Sequence, residues 1–102
     1  MIRSKNIFFF FRLVVYSFMK SLKPDNAKIT IYSTSWCGPC KMAKRFLAEK
    51  GFSFNEIDIE EHNITREEMA LMTKGTSVPQ IIINDIPIGG LEHLLEYFEQ
   101  YS

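Results

Sequence analysis

The sequence predicts an α/β fold in which helices flank a four-stranded mixed sheet, with the elements in the order βαβαββα. Three observations lead to this prediction. Strand-like and helix-like segments alternate along residues 28–101. The last two strand-like segments are separated by Asn84 and Asp85, a tight-turn pair that indicates an antiparallel hairpin. The chain has 102 residues, which is long enough for one compact domain and too short for two.

The first half of the domain is predicted to form one βαβ unit. Residues 28–33 alternate in polarity and are rich in β-branched side chains, which predicts a strand. Residues 42–47 place apolar side chains at helical spacing, and Gly51 provides a natural helix end. Residues 52–59 alternate again and predict a second strand. Because βαβ crossovers join parallel strands, these two strands are expected to be parallel.

The second half is predicted to contain a helix, a hairpin and a final helix. Thr65 and Glu68 have the spacing of a capping box, which predicts a helix beginning there. The hairpin is formed by residues 80–83 and 86–88. The final helix follows two glycines, and its predicted apolar side carries Leu91, Leu94, Leu95 and Phe98.

Residues 1–22 are predicted to form a hydrophobic N-terminal extension, and residues 27–102 to form the domain. The extension contains four consecutive phenylalanines. A membrane span needs roughly 20 apolar residues, whereas the apolar run here covers only residues 7–19 and is interrupted by Arg12. It also lacks the small-residue cleavage site of a signal peptide. The preferred interpretation is an appendage or a mis-assigned start, with translation beginning at Met19; a membrane-associating segment and a signal peptide are the alternatives.

The overall charge gives no reason to expect a nucleic-acid partner. The 12 basic residues balance the 12 acidic residues, so the chain lacks the net positive charge that attracts nucleic acid. From residue 19 onward the acidic residues outnumber the basic ones. A nucleic-acid-binding role is therefore excluded from the predictions.

The two cysteines of the chain, Cys37 and Cys40, lie in the stretch WCGPC. A structural disulfide at this spacing would close a very short loop and remove little entropy from the unfolded chain. A zinc site needs about four ligands, and His62 and His93 lack the usual spacing. No metal ligand is therefore assigned, although an iron–sulfur cluster shared between two chains remains an alternative.

A redox role for the pair has a clear physical basis. Cys37 is placed where a strand ends and a helix begins, so the free N–H groups and dipole of that helix stabilise a thiolate and lower the pKa of the Cys37 thiol. Pro39 suits the first helical turn, and Lys41 and Lys44 add positive charge nearby. Cys40 is expected to be less exposed. We therefore predict that Cys37 attacks a substrate disulfide and that Cys40 resolves the mixed disulfide.

Three stretches of the chain resemble glutaredoxins, which belong to the thioredoxin-fold superfamily. They are YSTSWCGPCKMAKRFL, TSVPQIII and IPIGG, in this order on the predicted frame, and the resemblance covers about residues 28–101. It implies a thioredoxin-like fold and a dithiol–disulfide oxidoreductase that reduces protein disulfides or glutathione mixed disulfides. It also implies a cytoplasmic monomer with no bound cofactor, with glutathione as reducing cosubstrate and disulfide-containing or glutathionylated proteins as partners.

The resemblance further implies a binding site for substrate or glutathione around the cysteines. Pro79 would be a cis proline facing Cys37, and the backbone of Val78 would pair with the ligand like a strand. Two glycines would admit a ligand carboxylate to the N-terminus of the last helix, although a tight turn alone would also explain them. Glu92 would help to hold the γ-glutamyl end of glutathione. The implied binding residues are Trp36, Ser77, Val78, Pro79, Gly89, Gly90, Leu91 and Glu92.

Some residues depart from the glutaredoxin pattern. The Gly-Pro pair between the cysteines is the thioredoxin pair, whereas most dithiol glutaredoxins have Pro-Tyr. Thr34 stands where many glutathione-using members have a lysine, and Gly75 stands near a frequent arginine, for which Lys74 or Lys23 could substitute. The close alternative is therefore a glutaredoxin-shaped electron donor that is reduced by thioredoxin reductase, for instance one serving ribonucleotide reductase. We expect Gly-Pro to move the reduction potential toward the value of about −270 mV found in thioredoxin.

Overall fold

The structure, a computed structural model, describes residues 26–101. The predicted extension, residues 1–22, lies outside the described residues. The element order is the predicted one: β1 (Ile29–Ser33), α1 (Gly38–Glu49), β2 (Asn55–Asp58), α2 (Arg66–Met72), β3 (Gln80–Ile83), β4 (Ile86–Gly89) and α3 (Leu91–Tyr101).

The four strands form one mixed sheet in the order β2-β1-β3-β4. β1 pairs with β2 in parallel and with β3 antiparallel, and β3 and β4 form the antiparallel hairpin. Asn84 and Asp85 at the hairpin turn have φ angles of 51° and 69°, the left-handed conformation that matches the twist of a two-residue hairpin. The predicted α/β fold with a mixed sheet is confirmed.

The boundaries of the elements follow from local hydrogen bonds. The capping box is present, because Glu68 N–H donates to Thr65 Oγ1 at 3.0 Å and Thr65 N–H donates to Glu68 Oε1 at 2.8 Å. β2 is shorter than the predicted strand at residues 52–59. Phe52 N–H instead donates to Leu47 O at 2.9 Å, so Phe52 is bonded to the last turn of α1, and residues 52–54 connect that helix to the sheet.

The core lies on both faces of the sheet because side chains alternate along β1. Ile29 and Ile31 face α1 and α3, and Tyr32 packs with Ile59 and Met69 on the α2 side. Leu95 is exposed although it was predicted on the apolar side of the last helix. The larger cluster consists of Ile29, Ile31, Ala43, Leu47, Phe52, Ile81, Ile83, Ile88, Leu94 and Phe98.

The fold brings the end of β1, the start of α1 and the segment before β3 together at one end of the two central strands. This follows because β1 and β3 are neighbours and antiparallel, so Tyr32 pairs with Gln80. Within residues 26–101, no helix has the length and apolar character that crossing a membrane requires.

Candidate active site

Cys37 lies at the junction that the sequence predicted. β1 ends at Ser33 and α1 begins at Gly38, so Cys37 is the N-cap of the helix and has an extended backbone. The Cys40 N–H donates a hydrogen bond to Cys37 Sγ at 3.1 Å. Pro39 lies in the first helical turn, where its missing N–H leaves no helical hydrogen bond unmade. One of the free N–H groups at the start of α1, that of Cys40, is therefore directed at the sulfur of Cys37.

The two cysteines form a disulfide, with a Cα–Cα distance of 5.2 Å. Cys40 is fully buried, and Cys37 is 4% exposed. Gly38 and Pro39, between them, are exposed. Cys37 is thus the cysteine nearer to solvent, which is the order predicted for an attacking and a resolving thiol.

The segment before β3 lies against Cys37. The Val78–Pro79 peptide bond is cis, as the resemblance implied, and Pro79 is buried. The carbonyl oxygen of Val78 lies 3.6 Å from Cys37 Sγ. The structure therefore places the backbone of Val78 beside the reactive sulfur, where an extended substrate segment could pair with it.

The residues that hold this segment in place were not predicted from the sequence. Gln80 is buried, its Nε2 donates to Ser77 O at 3.0 Å, and its Oε1 accepts from Lys74 N–H at 3.2 Å. Arg66 Nη1 donates to Thr76 O at 2.8 Å. These bonds join residues 74–77 to β3 and α2. The sequence does contain one indication of this role, because Gln80 is a polar residue directly after Val-Pro at the start of an otherwise apolar strand.

A groove of about 410 Å³ lies between residues 74–80 and the N-terminus of α3, within the size range of small-ligand sites. Of the predicted binding residues, all except Trp36 line it. Lys74 is a basic residue in its wall, and Glu92 is an acidic one. The lining residues are Pro39, Lys74, Gly75, Ser77, Val78, Pro79, Gln80, Gly89, Gly90, Leu91, Glu92 and His93.

The two glycines before α3 have different roles. Gly89 has a φ of +109°, and a Cβ there would lie 2.6 Å from His93 Nδ1, so the turn itself requires glycine. A Cβ on Gly90 would lie 3.4 Å from Pro79 O, an ordinary contact that would place a side chain in the groove. His93 Nδ1 also accepts from the Gly90 N–H at 3.4 Å. The backbone of the turn therefore requires glycine at position 89. At position 90 a larger residue would occupy space in the groove.

Two positions at which many glutaredoxins carry a cation, Thr34 and Gly75, carry none in this protein. Thr34 is buried, and its hydroxyl has no hydrogen-bond partner among the described residues. Gly75 lines the groove without a side chain. Lys74 therefore offers the groove a cation that Thr34 and Gly75 do not provide. Lys23 lies outside the described residues.

Lys44 does not supply the free positive charge expected near the cysteines. Its Nζ lies 2.7 Å from Glu56 Oε2, and the buried Ser33 hydroxyl donates to the same oxygen at 2.7 Å. Lys44, and then Ser33, hold the pKa of the Glu56 carboxyl below its ordinary value. The charge of Lys44 is thus balanced within the protein, whereas Lys41 is exposed.

Trp36 directly precedes Cys37 and carries an exposed ring. Its side chain is 61% exposed, and its indole Nε1–H donates to both carboxylate oxygens of Glu60, each at 3.2 Å. Trp36 does not line the groove. The disulfide is therefore bordered by an exposed ring as well as by the groove.

The fold and the cysteine pair define a thioredoxin-like thiol–disulfide oxidoreductase. The glutaredoxin family model matches residues 29–88. The chain is 41% identical over 68 residues to glutaredoxin 3 of Escherichia coli (strain K12), which covers 67% of this chain and 82% of that protein. It is 39% identical over 66 residues to a glutaredoxin of Pseudomonas aeruginosa, covering 65% and 79%. The chain belongs to the glutaredoxin family.

Solved structures agree with this assignment. The glutaredoxin of Brucella melitensis has a TM-score of 0.59 and 32% identity, covering 71% of this chain and 78% of that one. The buckwheat glutaredoxin–glutathione complex has a TM-score of 0.64 and 19% identity, covering 84% and 80%. The second similarity shows the fold alone.

Proposed function

We propose that this protein is a glutathione-coupled dithiol–disulfide oxidoreductase that reduces protein disulfides and glutathionylated proteins. Cys37 is the attacking thiol and Cys40 the resolving thiol. The observation that carries the proposal is the position of the groove, whose wall includes Val78, beside the sulfur of Cys37. The cytoplasm, where glutathione keeps thiols reduced, is the compartment that suits this reaction.

Reduction of a protein disulfide proceeds in two exchanges. The Cys37 thiolate attacks one sulfur of the substrate disulfide, the substrate S–S bond breaks, and the departing thiolate takes up a proton. The Cys40 thiol then loses its proton and attacks Cys37 Sγ, which releases the second substrate thiolate to be protonated in turn. Two electrons have passed to the substrate, and the Cys37–Cys40 disulfide is the product that the structure contains.

The protein supplies electrostatic stabilisation and alignment for these exchanges. The Cys40 N–H and the N-terminus of α1 stabilise negative charge on Cys37 Sγ, in the first exchange and whenever Cys37 is the leaving group. The half-buried Val78, whose bond to Pro79 is cis, offers its backbone to a strand-like substrate segment. No bound cofactor takes part in these steps.

Glutathione is the reductant that the groove suits best. Two glutathione molecules reduce the Cys37–Cys40 disulfide, the first by forming a mixed disulfide with Cys37 and the second by releasing oxidised glutathione. Glutathione carries two carboxylates and one ammonium group. Lys74 and the N-terminus of α3 suit the carboxylates, and Glu92 suits the ammonium group. Buckwheat glutaredoxin, whose fold this chain shares, has been solved as a complex with glutathione.

A thioredoxin reductase is the second candidate reductant. The observation that favours it is the absence of a cation at Thr34, which is buried, and at Gly75, which has no side chain. Without those cations the carboxylates of glutathione would bind more weakly, and glutathione would be a poorer reductant. Reduction by thioredoxin reductase does not need a binding site for these carboxylates.

Coupled turnover distinguishes the two reductants. Reduction of a disulfide substrate is followed through NADPH oxidation, once with glutathione and glutathione reductase and once with thioredoxin reductase. The proposal expects turnover with the first system. Turnover with thioredoxin reductase alone would contradict glutathione coupling and leave the dithiol chemistry intact.

A further inference from the structure

Trp36 is an exposed aromatic ring directly beside the reactive cysteine. It precedes Cys37 in the chain, is 61% exposed, and takes no part in the groove proposed for glutathione. Tryptophan is buried on average, because its ring is costly to leave in water. A large apolar face at this position is therefore available to a molecule that approaches the sulfur of Cys37.

The ring of Trp36 is held by a hydrogen bond to the carboxylate of Glu60. Its indole N–H lies 3.2 Å from both carboxylate oxygens of Glu60, a hydrogen bond strengthened by the charge of the acceptor. Glu60 is in turn fixed by Asp58 at the end of β2. Asp58 Oδ1 accepts from the Glu60 N–H at 2.9 Å and from the Glu61 N–H at 3.2 Å. The backbone at Glu60 is thus tied to the end of β2, and the Glu60 side chain connects the Trp36 indole to that turn.

We propose that Glu60 is a positioning residue that fixes Trp36 as an apolar platform for protein substrates. The occupant is the segment of a protein that flanks its reactive disulfide with apolar side chains. The inference rests on the proposed function and adds substrate selectivity to it. The groove binds glutathione, and the ring of Trp36 contacts the polypeptide substrate.

The preference for a polypeptide follows from what a fixed ring provides. An aromatic ring held in one orientation offers a large contact area at a small entropy cost on binding. A glutathione mixed disulfide of a small thiol presents no chain on the other side of its sulfur, so it gains little from such a platform. Loss of the Glu60 contact should therefore weaken protein substrates more than small ones.

The chain offers a matched control and a direct reporter. Glu61 is the next residue of the same turn and is also exposed, but no bond joins its carboxylate to Trp36. Replacing it removes the same charge without removing the contact. Trp36 is the only tryptophan of the chain, so intrinsic fluorescence and its anisotropy report on this ring alone.

The test uses single turnovers of the pre-reduced full chain, so it does not depend on which reductant acts in the cell. Rate constants are measured with insulin as the protein disulfide and with the glutathione mixed disulfide of 2-mercaptoethanol as the small substrate. For Glu60→Ala, the ratio of the insulin rate constant to the small-substrate rate constant should fall about three- to tenfold, which corresponds to losing one exposed hydrogen bond to a charged group. Fluorescence anisotropy of Trp36 should also fall.

The variants give outcomes that either support or overturn the inference. Glu60→Gln, which keeps an oxygen acceptor, should recover part of the ratio, and Glu61→Ala should leave it unchanged. In a Trp36→Phe background, Glu60→Ala should have no further effect on the ratio. An equal loss for both substrates, an equal loss in Glu61→Ala, or an unchanged ratio would overturn the inference. A wild-type protein that reacts with neither substrate would instead contradict the proposed function.

Discussion

Replacing Glu56 tests how the helix that carries the cysteines is fastened to the sheet. Glu56 Oε2 accepts from the Ser33 hydroxyl and from Lys44 Nζ, both at 2.7 Å. Lys44 lies one helical turn after Cys40, so this cluster joins α1 to β1 and β2 beneath the active site. The Ser33 side chain is fully buried, whereas the side chains of Lys44 and Glu56 are 29% and 36% exposed.

Burial sets the expected cost of each substitution. Glu56→Ala leaves the Ser33 hydroxyl without an acceptor, which costs about 1–3 kcal/mol, and removes an ion pair worth about 0–1 kcal/mol at this exposure. We therefore expect the free energy of unfolding to fall by about 2 kcal/mol. Glu56→Gln keeps an acceptor for Ser33 and loses the charge, so about 0.5–1 kcal/mol is expected.

The pH dependence of the free energy of unfolding separates the contribution of the Glu56 charge from that of its packing. The pKa of Glu56 is lowered from its ordinary value of 4.5, first by Lys44 and then by Ser33. Because the folded pKa lies below the unfolded one, the carboxylate stabilises the fold above pH 4.5, and this contribution is lost as the pH falls from 4.5 through the folded pKa.

Urea unfolding with the disulfide intact measures this effect at neutral pH and in steps downward through pH 4.5. The difference between wild type and Glu56→Gln should shrink as the pH falls. Glu96→Gln, which neutralises an exposed carboxylate on α3, serves as the control and should cost little. A difference for Glu56→Gln that stays constant with pH would refute the reasoning.

Three further predictions concern the turn, the groove and the cysteine pair. Gly89→Ala should lower the free energy of unfolding by about 1–3 kcal/mol in urea titrations, because φ is +109° and the new Cβ would meet His93 Nδ1; an unchanged stability would contradict this. Lys74→Ala should raise KM for glutathione several-fold at unchanged kcat in steady-state assays, whereas an unchanged KM would remove Lys74 from the glutathione site. Equilibration with glutathione buffers should give a reduction potential below the range of about −200 to −230 mV typical of glutaredoxins, and a value at or above about −200 mV would contradict the effect assigned to Gly-Pro.

Much of the fold could be predicted because its signals are local. Alternation in residues 28–33, the capping box at Thr65 and the turn at Asn84 each specify an element from a few neighbouring residues. The position of Cys37 at a helix N-terminus followed from that element order. The cis bond at Pro79 came from the family resemblance, since no local pattern in the chain requires it.

The remaining features depend on contacts between distant residues. β2 lies at the edge of the sheet and its paired residues are 55–58, a limit that the alternation of residues 52–59 does not show. The sequence around Trp36 does not indicate that Glu60 binds its indole. In the same way, nothing near Lys44 in the chain shows that its charge is balanced by Glu56.

The most direct test of the central claim compares Cys37→Ser with Cys40→Ser on two substrates, insulin and a glutathionylated protein. If Cys37 attacks and Cys40 resolves, Cys37→Ser should be inactive on both. Cys40→Ser should fail to reduce insulin but should still remove glutathione from the protein, because a second glutathione can release the mixed disulfide on Cys37. A Cys37→Ser variant with wild-type activity on either substrate would contradict the account.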